Sequence, residues 1–269
     1  MHQRVSLHQV AFLGETTTTF IDHCRTIGVE HVTLVTPALM RAGGVEEALR
    51  ALAAGGPRTQ TVNHPFATFP DLDGDDEKTV AKLFEAIDIA AKLGASDIYL
   101  VTGGRGPLSW EEAAQRFADL IAPCQLAASE AGVRLSVETA SDFNVDIHIA
   151  HTLDDTIRLA EMAGIGVCLE LHACWFEGGL KEKFARALPH AHLVQVSDYV
   201  LGDRSAPCRA VIGDGVIPIE RLLGDLLEAG YNGVFDIELL GPRIEQEGPA
   251  AATKRAAENL SQILMKLGA

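Results

Sequence analysis

The sequence predicts a (β/α)8 barrel, and three observations carry the prediction. Eight short β-branched runs alternate with longer amphipathic runs from one end of the chain to the other. The chain has 269 residues, close to the roughly 250 that eight such units occupy. No Pro/Ser-rich linker divides it, so residues 1–269 read as a single domain. A doubly wound open sheet is the competing arrangement. It would usually place a Gly-rich phosphate turn after the first strand, and "AFLGETTTT" lacks the GxGxxG spacing.

The strand-like runs are "VSLHQVAF" (5–12), "HVTLVTP" (31–37), "TQTVNHPF" (59–66), "SDIYLVTGG" (96–104), "VRLSVETA" (133–140), "IGVCLELH" (165–172), "HLVQVSDY" (192–199) and "GVFDIELL" (233–240). Helical periodicity fills the gaps, as in "DEKTVAKLFEAIDIAAKLGA", "SWEEAAQRFADLIAPCQLAASEAG" and "IPIERLLGDLLEAGY". A last helix, "AAATKRAAENLSQILMKLG", closes the chain. The helix ends are marked. Asp75 is placed to cap the third helix, with Asp76 and Glu77 in its first turn, where the helix dipole favours acids. Ser109 with Glu112 forms a capping-box pattern. Gly94, Gly132 and Gly230 follow last turns, and Pro218 suits a first turn.

Composition narrows the classes. Apolar residues make up 47% of the chain, enough for a substantial core. The formal net charge of −15 opposes binding to nucleic-acid phosphates and to anionic membranes. No apolar run reaches the ~18 residues of a membrane span. The N-terminal "MHQRVSLHQV" has no signal-peptide pattern. Cys24, Cys124, Cys168, Cys174 and Cys208 are odd in number and scattered, which favours reduced thiols and a cytoplasmic location.

In a barrel of this kind the active site lies at the C-terminal strand ends. Strand five ends in Glu138. Strand six carries Glu170 and then His172, strand seven Gln195, and strand eight Glu238. Carboxylates converging in an apolar mouth must protonate, pair with cations or bind metal. A divalent ion held by Glu138, Glu170, Gln195 and Glu238 is the expectation. Oxygen donors suit Mn²⁺ or Mg²⁺, with Co²⁺ also admitted.

These residues resemble those of the xylose isomerase-like TIM barrel superfamily, which includes sugar isomerases and epimerases, inosose dehydratases and AP endonucleases. The resemblance spans nearly the whole chain and is sharpest from 133 to 240. "VETA" matches the family's Glu after strand five at Glu138, and "DIEL" its Glu on strand eight at Glu238. "CRAVIGDGVIP" matches an Arg before a GDG loop at Arg209. Two positions depart. Glu170 stands for the usual strand-six Asp, with His172 one residue short of the DxxH spacing, and Gln195 stands for the strand-seven His.

The resemblance implies a metal-dependent isomerase or epimerase acting on a small sugar, keto-sugar or polyol. Glu138 and Glu238 would move the proton next to a metal-bound carbonyl, and Arg209 would bind a substrate oxygen. A lyase acting on an oxidised sugar, cyclitol or 3-keto-glycoside begins with the same proton abstraction and is the alternative. A repair endonuclease would need a basic face that this charge balance does not suggest. Barrels of the family often pair, so a homo-oligomer is an open expectation. His8, His64 and His172 near strand ends, and Trp175 after strand six, are further candidates for substrate contacts. "GGRG" (103–106) is a weaker candidate for a phosphate cradle.

Overall fold

Eight parallel strands close into one barrel in chain order: β1 (Val5–His8), β2 (His31–Val35), β3 (Arg58–Pro65), β4 (Asp97–Val101), β5 (Arg134–Glu138), β6 (Gly166–Glu170), β7 (Ala191–Val196) and β8 (Phe235–Ile237). β8 pairs with β1 to complete the ring. The structure, a computed structural model, describes residues 1–67, 72 and 76–269. The cap expected at Asp75 lies outside the described residues.

The strands are shorter than the apolar runs that announce them, and two of the early endings are made by site residues. β1 stops at His8, whose Nδ1 accepts the Val10 amide at 2.9 Å, and Gln9–Phe12 turns into a 3-10 helix. β6 stops at Glu170, whose carboxylate accepts the His172 amide at 2.9 Å and starts the short helix Leu171–Cys174. A side chain that captures a nearby amide offers the backbone an alternative to the next ladder bond.

Alternation sorts the strand residues between two layers. Outward positions such as Val32, Leu34, Val62, Ile98, Leu100, Val137, Val167, Leu169, Val194 and Val196 are buried against the helices and form the main core. The inward set has only a small apolar cluster, Tyr99, Cys168 and Leu193. The rest of the barrel interior is largely polar, with Ser6, His8, Ser136, Glu138, Glu170, Gln195 and Asp236 all buried. The capping box at Ser109 forms as the sequence predicts. Among the described residues, no helix is long and apolar enough to cross a membrane.

The loop after β7 matters most for the site. One carboxylate organises it. Asp198 Oδ1 accepts the amides of Tyr199 (2.8 Å) and Ile217 (3.0 Å), and Oδ2 those of Gly213 (2.9 Å) and Gly215 (3.0 Å). A β-carbon on Gly215 would overlap Asp198 Oδ1 and the Tyr199 carbonyl, so only glycine lets the chain come this close. The backbones of Asp198 and Ala210 also exchange two hydrogen bonds, at 2.9 and 2.8 Å. Arg209 is thereby delivered to the barrel mouth. Replacing Asp198 with Ala is expected to destabilise the fold by about 2–3 kcal/mol, because four amides lose a charged acceptor. Denaturant melts would check this, and a loss under ~0.5 kcal/mol would mean the loop holds itself.

Candidate functional site

The C-terminal mouth holds a cavity of about 320 Å³ lined by His8, Asn63, Tyr99, Glu138, His172, Arg209 and Glu238, among others. That volume suits a small ligand. A larger cleft of about 610 Å³ opens around Arg134, His190 and His192. It lies at the N-terminal ends of the strands, the face that stabilises such barrels rather than reacts.

Arg209 is the centre of the arrangement. Its Nη1 donates to Ser197 Oγ at 3.0 Å and lies 2.9 Å from Glu170 Oε1. Its Nη2 lies 2.6 Å from Glu238 Oε2. This second contact is a charge pair rather than an aligned hydrogen bond, since Glu238 Oε2 has no hydrogen-bond donor of good geometry. The surrounding carboxylates outweigh the cost of burial and hold the guanidinium firmly charged.

The three glutamates are not equivalent. Glu170 and Glu238 share Arg209. Glu138 receives no hydrogen bond from any described residue and faces the cavity. Burial, with Glu238 and Glu170 nearby, pushes its carboxyl well above the usual range despite the opposing pull of Arg209. Burial also raises Glu170, and Arg209 pulls it back. The mouth therefore holds a buried Glu138 whose protonated form is favoured, beside a Glu238 that lies against the Arg209 guanidinium.

A chain of hydrogen bonds crosses the barrel below this ring. Because Val10 donates to His8 Nδ1, the imidazole proton is assigned to Nε2, which donates to Tyr99 Oη at 2.7 Å. Gln195 Nε2 donates to the same phenol oxygen at 3.2 Å. With both acceptor positions taken, the Tyr99 hydroxyl turns to Glu238 Oε1, 3.5 Å away. Gln195 Oε1 accepts the Cys168 thiol at 3.3 Å.

Several expected contacts change place. His64 is buried on the outer face of β3, where Thr36 Oγ1 lies 2.9 Å from its Nδ1. Burial lowers its pKa to about 4. Its neighbour Asn63 lines the cavity instead, because adjacent strand residues face opposite ways. Trp175 is not among the lining residues; it packs on Tyr199 with ring centroids 6.4 Å apart. His8 and His172 do line the cavity. Burial, with Arg209 beside it, lowers the His172 pKa to about 3, so its imidazole is neutral. The "GGRG" amide at Gly103 is already spent on the Ile147 carbonyl at 2.8 Å. Tyr99 and Asn63 were missed by sequence reasoning. The inward phase of β4 and β3 was the signal that could have found them.

The metal expected at this ring was tested against the donors. Among the described residues, no three His, Cys, Asp or Glu side chains gather as a metal's ligands would. The positive charge between Glu170 and Glu238 is the Arg209 guanidinium, and the oxygen of Gln195 faces the Cys168 thiol. As arranged, the four expected ligands do not fit a divalent ion. The register gives part of the reason. Glu170 and Gln195 are partners on one rung, but Gln195 pairs on its other side with Asp236, two residues before Glu238.

A (β/α)8 barrel with buried glutamates and a guanidinium at its C-terminal mouth defines a class of proteins whose sites lie at that end. The chain belongs to the xylose isomerase-like TIM barrel family, whose sequence model matches residues 21–263. No curated protein sequence matches it. Among solved structures it is similar to protein SMc04130 of Sinorhizobium meliloti 1021, at 23% identity and a TM-score of 0.85, over 98% of both chains. It is also similar to the IOLI protein with a bound zinc atom, at 15% identity and a TM-score of 0.82, over 98% of this chain and 99% of that one. A third is D-psicose 3-epimerase from Clostridium cellulolyticum H10 with D-tagatose, at 12% identity and a TM-score of 0.73, over 98% of both chains. At these identities the likeness establishes the fold.

Proposed function

We propose that the protein is an isomerase or epimerase of a small, uncharged keto-sugar or polyol, moving a proton on the carbon next to a carbonyl. The observation that carries this reading is the unequal pair lining the cavity, Glu138 with no hydrogen-bond partner among the described residues and Glu238 held 2.6 Å from the Arg209 guanidinium. Glu238 takes the proton from carbon, and the electron pair moves onto the carbonyl oxygen. The guanidinium of Arg209, which lines the cavity, stabilises the resulting negative charge. Glu138 then returns a proton to carbon. Delivery to the opposite face of the same carbon gives epimerisation; delivery to the former carbonyl carbon, with the hydroxyl proton of the first carbon passing to the enediolate oxygen, moves the carbonyl and gives isomerisation.

Substrate charge follows from the lining. Arg209 is the one lysine or arginine among the residues lining the cavity, and two carboxylates already hold it. Phosphate or carboxylate on the substrate would face Glu138 and Glu238 with little to balance it. His8, Asn63, Tyr99 and His172 offer polar atoms suited to hydroxyl groups. The similarity to an epimerase structure holding a ketose supports the class. The Mn²⁺ or Mg²⁺ that the family resemblance implies has no part in these steps, because Arg209 supplies the positive charge.

The test is a screen of unphosphorylated keto-sugars in D₂O, read by mass spectrometry and NMR. Deuterium beside the carbonyl is expected, with loss of exchange in Glu138→Gln and in Glu238→Gln. Elimination of a β-hydroxyl would begin the same way and appear as a dehydrated product. No exchange with any ketose, or full exchange in both variants, would refute the assignment.

A further inference from the structure

We infer that Arg209 is the resident cation of this mouth, and that the ring binds no divalent ion while Arg209 is present. The inference rests on the geometry of the ring and not on the reaction proposed above.

Three observations carry it. First, the guanidinium bridges the carboxylates of β6 and β8, at 2.9 Å from Glu170 and 2.6 Å from Glu238. A divalent ion bound to the same two oxygens would meet the Nη1 and Nη2 groups of the guanidinium, cation against cation in a buried space. Second, Arg209 is not free to withdraw. Its own amide donates to the Leu240 carbonyl at 3.3 Å, Ala210 beside it is clamped to Asp198, and Ser197 Oγ accepts from Nη1. The loop behind it is closed by the four amides on Asp198. Third, of the two remaining donors, only Glu138 is uncommitted, and one carboxylate does not make a metal site. Gln195 spans Cys168 and Tyr99 and is fully buried, so its oxygen is turned from the mouth. An amide is also a weaker ligand than imidazole for zinc and similar ions, because its oxygen is neutral and hard.

The substitution at position 195 and the placement of Arg209 are then two parts of one arrangement. With a neutral amide on β7, the three carboxyls need a cation from the protein itself. A planar guanidinium meets two carboxylates at once, which a lysine ammonium would do less well.

The test measures metal in the protein as isolated and after incubation with MnCl₂, MgCl₂ or ZnCl₂ followed by gel filtration. Elemental analysis gives the stoichiometry, and thermal melts with and without EDTA give a second readout. The wild-type protein is expected to retain far less than one equivalent and to melt at the same temperature in every condition. Arg209→Met combined with Gln195→His is expected to retain about one equivalent of Mn²⁺ or Zn²⁺ and to melt higher when the ion is present. Near-stoichiometric metal in the wild type, lost in Glu170→Gln and accompanied by a lower melting temperature in EDTA, would overturn the inference. Metal retained equally by Glu170→Gln is outside the ring and agrees with it. The wild-type measurement decides the matter even if the double variant fails to fold. A folded double variant that gains no ion would overturn the claim that Arg209 keeps the ion out.

Discussion

Glu138→Gln is expected to lower turnover by about 10²–10⁴-fold, the usual worth of a positioned acid or base, and to leave the barrel folded. Glutamine keeps the shape of the side chain and cannot deliver its proton as an acid does. The same change should also stabilise the protein at alkaline pH, and this second effect identifies the cause. Burial and two neighbouring carboxyls raise the Glu138 pKa well above the usual range. A carboxyl whose folded pKa is raised contributes stability below its unfolded pKa and loses it as pH rises toward the folded value. Wild type should therefore lose stability from about pH 4 upward through this group, and Glu138→Gln should lose less. Thermal melts of both proteins from pH 5 to 9 would show a gap that widens with pH. A constant gap would mean that Glu138 is an ordinary solvated carboxylate, and its role as the acid would fall with it.

Arg209→Met is expected to cost about 3–5 kcal/mol, the price of leaving buried charges without their partner. Both Glu170 and Glu238 lose their counter-ion, and Glu170 is only 1% exposed. Methionine fills part of the volume, so packing accounts for little of the loss. At this chain length the shift corresponds to roughly 10 °C in melting temperature. The loss should shrink in acid, where protonation of Glu170, whose pKa burial raises, removes an unpaired charge. An equal loss at pH 5 and pH 8 would show that Arg209 matters for shape rather than for charge. Activity should fall as well, since no other lysine or arginine among the described residues lines the cavity.

Much of this site is legible in the chain because strand alternation is local. On β5, β6, β7 and β8, counting in twos from the apolar residues places Glu138, Glu170, Gln195 and Glu238 on the inner face. The same counting fails on β3, where His64 was chosen and Asn63 lines the cavity. Phase there cannot be read from the apolar pattern, since Thr61 and Val62 are both fully buried on opposite faces. The β2–β3 pairing also skips a residue, so that Val32 meets Thr59 and Thr33 meets Thr61. Such a slip changes which residues share a face without changing composition. Tyr99 was overlooked for a different reason. A tyrosine in an apolar strand reads as core, and only closure of the ring brings it against His8 and Gln195 from other strands.

The sequence by itself determined the eight-fold alternation, the helix caps at Ser109 and elsewhere, and the acidic character of the mouth. These depend on periodicity and on residues a few positions apart, so they survive in one dimension. Only the tertiary structure decided what neutralises that acid. Arg209 lies 39 residues after Glu170 and 29 before Glu238, and no spacing rule links the three. Whether their charges are balanced by an ion from solution or by a guanidinium depends on where a loop closes. That closure is set by the amides gathered on Asp198.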